Sequence, residues 1–178
     1  MKVKQMPLPT NKISTNKLKT KKITTSGILL ALALILGYVE SLIPFYFGIP
    51  GAKLGLPNLL VLVLLYRYDV KDAAIFQILR VTLTGLLFGN MFGILYSLSG
   101  ALCSFIVMVL VKKWDFFDIT GVSVIGGVFH NIGQILLATV IISKFSFLYY
   151  IPVLLIAGMV AGMIIGKLVQ IILQRGII

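Results

Sequence analysis

The residues best placed to do chemistry in this chain lie in the stretch Gly126-Gly-Val-Phe-His-Asn-Ile-Gly-Gln134. It holds the protein's only histidine, an asparagine beside it, and a glutamine one helical turn later. The surrounding run, Ile119 to Ile142, is apolar and long enough to cross a bilayer as a helix. On such a helix His130 and Gln134 share a face, and Gly126, Gly127 and Gly133 let other backbones come close. Hydrocarbon does not solvate these polar groups, so they are expected to face a protein interior or a watery cavity. Two uses fit them. They knit helices together by hydrogen bonds, or they hold a small molecule.

Polar residues elsewhere in the apolar sequence widen the second possibility. Glu40, Lys53, Asn58, Arg80, Asn90, Ser97, His130, Asn131 and Gln134 form a candidate substrate-binding set. An arginine in mid-span costs at least ~2.5 kcal/mol on insertion scales, so Arg80 needs a partner or an anionic ligand. Gln77 and Thr84 fall on its helical face. Glu40 is the only acidic residue placed inside a predicted span and is the candidate partner. The basic members favour an anionic or acceptor-rich ligand.

Several chemistries are absent from the sequence. One histidine and one cysteine make no metal-ligand set and no internal disulfide. Cys103 lies in an apolar helix and reads as a small buried side chain. No glycine-rich loop ends in Gly-Lys-Ser/Thr, and no nucleophile–histidine–acid set is visible. Asp115 and Asp118 stand three apart at a predicted membrane edge, unlike the paired aspartate-rich motifs of prenyl-chain synthases. The chain is therefore not expected to be an enzyme or to carry a cofactor.

The elements that must position these residues follow from composition. Of 178 residues, 59% are hydrophobic, and mean hydropathy is +1.07. Soluble domains lie nearer 45–50% apolar, so the prediction is an all-α integral membrane protein with no room for a soluble catalytic domain. Residues 1–25 read as a basic, disordered cytoplasmic tail that touches anionic lipid. The apolar run after it exceeds a signal-peptide core and is expected to be retained. Residues 26–178 form the membrane domain, with helices at 26–47, 56–68, 73–88, 92–111, 119–142 and 148–173. Between the first two lies a glycine- and proline-rich loop, 48–58, expected to close over the outer mouth of the bundle.

Net charge is +11, and seven of the sixteen basic residues precede Thr24. With the tail, Arg67, Lys71, Lys112, Lys113 and Arg175 fall on one side of a six-span topology, against Lys53 and Lys144 on the other. That asymmetry predicts both termini in the cytoplasm and a multi-pass protein of the cell membrane. Charges clustered at span ends are topology signals, so no nucleic-acid partner is expected. Gly27 and Ala31, and again Ala33 and Gly37, lie at the i,i+4 spacing of close helix approach, either within the bundle or against a partner.

The chain resembles a known family at Glu40-Ser41 with Pro44, at the loop Gly51-Ala-Lys-Leu-Gly-Leu-Pro-Asn58, and at Asp72-Ala73 with Arg80. Ser97-Leu-Ser-Gly100 and Ser123 through Gln134 complete the match. The family is the Gx transporter family, also labelled heptaprenyl diphosphate synthase component I. Pro57 departs from its pattern, where a small residue is expected, and should stiffen the loop. The family is similar to the S components of energy-coupling factor (ECF) transporters. Those are six-helix proteins that capture a micronutrient from outside and dock on a coupling protein with two ATPase subunits. The resemblance implies that this chain is such a substrate-binding subunit, with Gly27, Ala31, Ala33 and Gly37 as docking positions. The family's other label implies an alternative: a non-catalytic membrane accessory subunit of a heptaprenyl diphosphate synthase.

Overall fold

The computed structural model describes residues 12–42, 55–142, 149 and 151–176, and they are almost entirely helical. Helix α1 spans Lys12–Leu42, α2 Asn58–Arg67, α3 Val70–Phe88, α4 Met91–Lys113, α5 Ile119–Ile142 and α6 Ile151–Gln174. Helices are what apolar runs of this length must form, because hydrocarbon offers no partner to a backbone N–H or C=O. Their ends are set by local chemistry. Asn90 caps α4 by accepting from the Gly93 N–H at 2.7 Å, and Asp118 does the same for the Gly121 N–H at 2.7 Å. Gly55, at φ +74°, makes the turn into α2, and Gly176, at φ +61°, follows α6.

Four segments are long and apolar enough to cross a membrane: Thr20–Leu42 of α1, together with α4, α5 and α6. The expected six spans are thus reduced to four among the described residues. Helix α2 has only 10 residues, about 15 Å at 1.5 Å per residue, against a hydrocarbon core of about 30 Å. Helix α3 has 19 residues but carries Lys71, Asp72 and Arg80.

The first helix starts within the range 1–25 expected as a tail. Helix α1 begins at Lys12, so residues 12–25 continue the membrane helix rather than trail from it. At 31 residues it is about 46 Å long, more than the apolar layer can hold. Residues 1–11, the loop segment 48–54 with Lys53, and the turn containing Lys144 lie outside the described residues.

Neighbouring contacts give the direction of each helix. Lys22 meets Asp72 and Gly37 meets Thr84, so α1 and α3 run parallel. Gln77 bonds the Ala101 carbonyl, Ser99 bonds the Gly133 carbonyl at 2.9 Å, and Asn131 bonds the Leu154 carbonyl at 2.6 Å. With the contacts of Gly85 on Ile94, Gly126 on Met108 and Gly166 on Thr120, they make α3–α4, α4–α5 and α5–α6 antiparallel. The charged residues then gather at one end. Apart from Glu40 and Arg80, every charged residue of the described segments belongs to that end, from Lys12 through Lys22 to Arg175.

Short α2 sits at the centre of this arrangement. Leu60 through Leu65 are all at most 1% exposed, and the Lys112 ammonium donates to the Leu65 carbonyl at 2.5 Å. A helix apolar on every side is one buried on every side. The tightest seam joins α5 to α6. A methyl group at Gly127 would strike the Gly158 carbonyl, and one at Gly162 would lie 2.6 Å from the Val124 backbone. Only glycine allows that approach, and van der Waals contact is what holds helices together in lipid.

Candidate functional site

Helix α2 is too short to fill the bundle, and the space above its first turn holds the buried polar groups. Arg80, on α3, is only 7% exposed. Its Nε donates to Gln77 Oε1 at 3.2 Å, and its Nη2 donates to Gln77 Oε1 at 3.0 Å and to Asn58 Oδ1 at 2.9 Å. Gln77, spaced i−3 on the same helix, is in reach by helical geometry alone. Asn58 arrives from the start of α2.

Glu40, on α1, accepts from the Gly55 N–H at 2.5 Å. The expected Glu40–Arg80 pairing is therefore indirect. Their charges attract each other, but the hydrogen bonds of Arg80 go to Gln77 and Asn58. Glu40 instead fixes the turn into α2, where its charge complements the positive end of the helix dipole.

A cavity of about 70 Å³ opens between α1, the turn into α2, α3, α4 and α5. Glu40, Asn58, Arg80, Ser97, His130 and Gln134 line it together. Six of the nine residues singled out in the sequence thus converge on one space. A second cavity, about 40 Å³, lies between α2, α4, α5 and α6. Asn131 lines this one, and its Nδ2 donates to the Leu154 carbonyl at 2.6 Å. Gly55, Asn58 and His130 border both cavities, so His130 sits on the partition between them.

Asn90 does not join the group. Its side chain is spent on capping α4 at an exposed helix start. Lys53 lies outside the described residues. The docking positions also divide. Ala33 and Gly37 are buried, with Gly37 packed against Thr84, so this pair serves the interior of the bundle. Gly27 and Ala31 are exposed, and a methyl group at Gly27 would meet nothing within 4 Å.

Other members of the site were harder to single out. Ser104 and Ser123 are 3% and 5% exposed and line the second cavity. As serines in apolar helices they look like packing residues, and only the facing of α4 on α5 reveals them. Asp115 and Asp118 play no part: Asp118 is a helix cap, and Asp115 holds a left-handed turn at φ 53°. Among the described residues no group of three or more histidine, cysteine, aspartate or glutamate side chains is placed to hold a metal ion. Buried hydrogen-bond donors and acceptors thus line one small cavity.

Comparison with known proteins gives one match. The family model described as heptaprenyl diphosphate synthase component I matches residues 29–172, from the first apolar turns of α1 to the last turn of α6. Neither a curated protein nor a solved structure matches the chain.

Proposed function

The chain belongs to the heptaprenyl diphosphate synthase component I family, and from that premise we propose that it is a membrane-embedded, non-catalytic accessory subunit of such a synthase. The observation that carries this reading is the family match, which takes in every helix of the bundle. The chemistry of chain elongation then belongs to a separate catalytic component. This subunit supplies a membrane seat beside the growing lipid product. Its charged end, with Lys22, Arg67, Lys71, Lys112, Lys113 and Arg175, is the cytoplasmic face by the positive-inside rule. That orientation puts both termini in the cytoplasm and makes the subunit a multi-pass protein of the cell membrane.

A second reading is favoured by the buried polar cavity, which a simple membrane seat does not require. In it the bundle captures a small molecule from the outer side, as ECF S components do, and works with a coupling protein and two ATPase subunits. Glu40, Asn58, Arg80, Ser97, His130 and Gln134 would contact the ligand, and Gly27 and Ala31 would meet the coupling protein. Purification of the tagged chain from its native membranes in mild detergent separates the two. A soluble prenyl diphosphate synthase as stoichiometric companion supports the accessory reading; a coupling protein with two ATPases overturns it.

A further inference from the structure

We propose that the cavity bordered by Arg80 and Gln134 is a binding site for a small molecule bearing one carboxylate, and that it excludes diphosphates. This deepens the ligand-binding reading and holds whichever partner the bundle serves. It rests on three polar side chains, Arg80, Thr84 and Gln134, that line one cavity. Arg80 uses its Nε and Nη2 on Gln77 and Asn58, while its Nη1 makes no hydrogen bond among the described residues. Gln134 is 3% exposed, lines the same cavity, and its amide likewise makes none. The Thr84 hydroxyl is buried without a hydrogen-bond partner and borders the cavity as well. Native proteins leave few buried polar groups unpaired. The buried Thr84 hydroxyl, beside Arg80 and Gln134 on the same cavity, marks a place where something else supplies an acceptor.

The donors define that partner. The Nη1 group of a fixed, buried guanidinium offers N–H bonds and positive charge to an anionic acceptor, such as one oxygen of a carboxylate. The Thr84 hydroxyl and the Gln134 amide then reach its remaining lone pairs. A diphosphate fits poorly for two reasons. Glu40 borders the same cavity, so a multiply charged anion meets a carboxylate with one arginine to offset it. No cluster among the described residues is placed to hold the divalent cation that would share the charge. The rest of the ligand is short. It extends past His130 and Asn58 toward the second cavity, whose walls mix Ser104 and Ser123 with Leu62, Met108 and Ile165.

The test uses the full chain in lipid nanodiscs, with propionate, butyrate and lactate as probes against inorganic pyrophosphate at matched ionic strength. Thermal unfolding and calorimetric titration are read for the native chain, Gln134→Leu and Thr84→Val. Monocarboxylates should raise the melting temperature and pyrophosphate should not. Gln134→Leu should melt at or above the native temperature without probe, because no intramolecular hydrogen bond is lost. It should bind the carboxylate about tenfold or more weakly. Pyrophosphate binding as well as the carboxylates would overturn the assigned class while leaving a ligand site standing. No response to any probe would overturn the proposal. So would a Gln134→Leu chain that melts lower, which marks a structural amide, or carboxylate binding that neither substitution alters.

Discussion

Arg80 is the residue on which the interior depends, because its charge is buried and it donates its hydrogen bonds to two neutral side chains. Removing Gln77 takes away the acceptor of Nε and one of the two acceptors of Nη2, which keeps Asn58. Hydrogen bonds to a charged group are worth about 1.5–3 kcal/mol. Gln77→Leu should therefore destabilise the bundle by about 2–3 kcal/mol, measured by reversible unfolding in mixed micelles. The double change Gln77→Leu with Arg80→Met should not recover that loss in full, because the buried Glu40 carboxylate then lacks the charge that attracts it. At this scale the sequence was informative about type and face. The spacing of Gln77, Arg80 and Thr84 put them on one side of α3, and His130 and Gln134 on one side of α5. It could not separate a cavity-lining asparagine from a capping one. Asn58 and Asn90 both precede apolar helices, and only the fold shows that one reaches Arg80 while the other bonds its own helix.

At the scale of the element, the glycines and the short helix carry the design. Gly127→Ala should push α5 off α6 and destabilise the protein, because the added methyl meets the Gly158 carbonyl, part of a backbone that cannot rotate away. Gly27→Ala adds the same methyl where nothing lies within 4 Å, so its unfolding should change little. Comparing the two melting temperatures tests whether the seam or glycine itself matters. Leu64→Ala, at 0% exposure in α2, should cost about 2–5 kcal/mol by opening a cavity in packed protein. Helix identities were legible from apolar runs alone, and α5 falls at the boundaries expected of it. The status of α2 was not. Its apolar sequence reads equally as a lipid-facing span or as a buried plug, and its 10 residues settle the matter only once its ends are fixed. Helix α1 begins at Lys12, inside a lysine-rich stretch whose composition alone reads as a tail. Lys22 reaches Asp69, just before α3, at 3.4 Å and also pairs with Asp72 in the first turn of α3, contacts between residues distant in sequence.

For the whole molecule, charge and family membership work together. Apart from Arg80, the described basic residues sit at one end, and the proposed orientation turns that end to the cytoplasm. Single cysteines introduced at Lys113 and at Asn90, on a Cys103→Ala background, should then label differently in intact cells. A membrane-impermeant maleimide should reach position 90 from outside and position 113 only after permeabilisation; the reverse pattern would invert the topology. The central claim is that this bundle serves a heptaprenyl diphosphate synthase without catalysing its reaction. Its most direct test reconstitutes the purified catalytic component in liposomes with and without this chain and measures the rate and chain length of the prenyl diphosphate formed. The account predicts no product from this chain alone, and faster synthesis or a shifted product length when both are present. Equal rate and equal product length in the two preparations would contradict it.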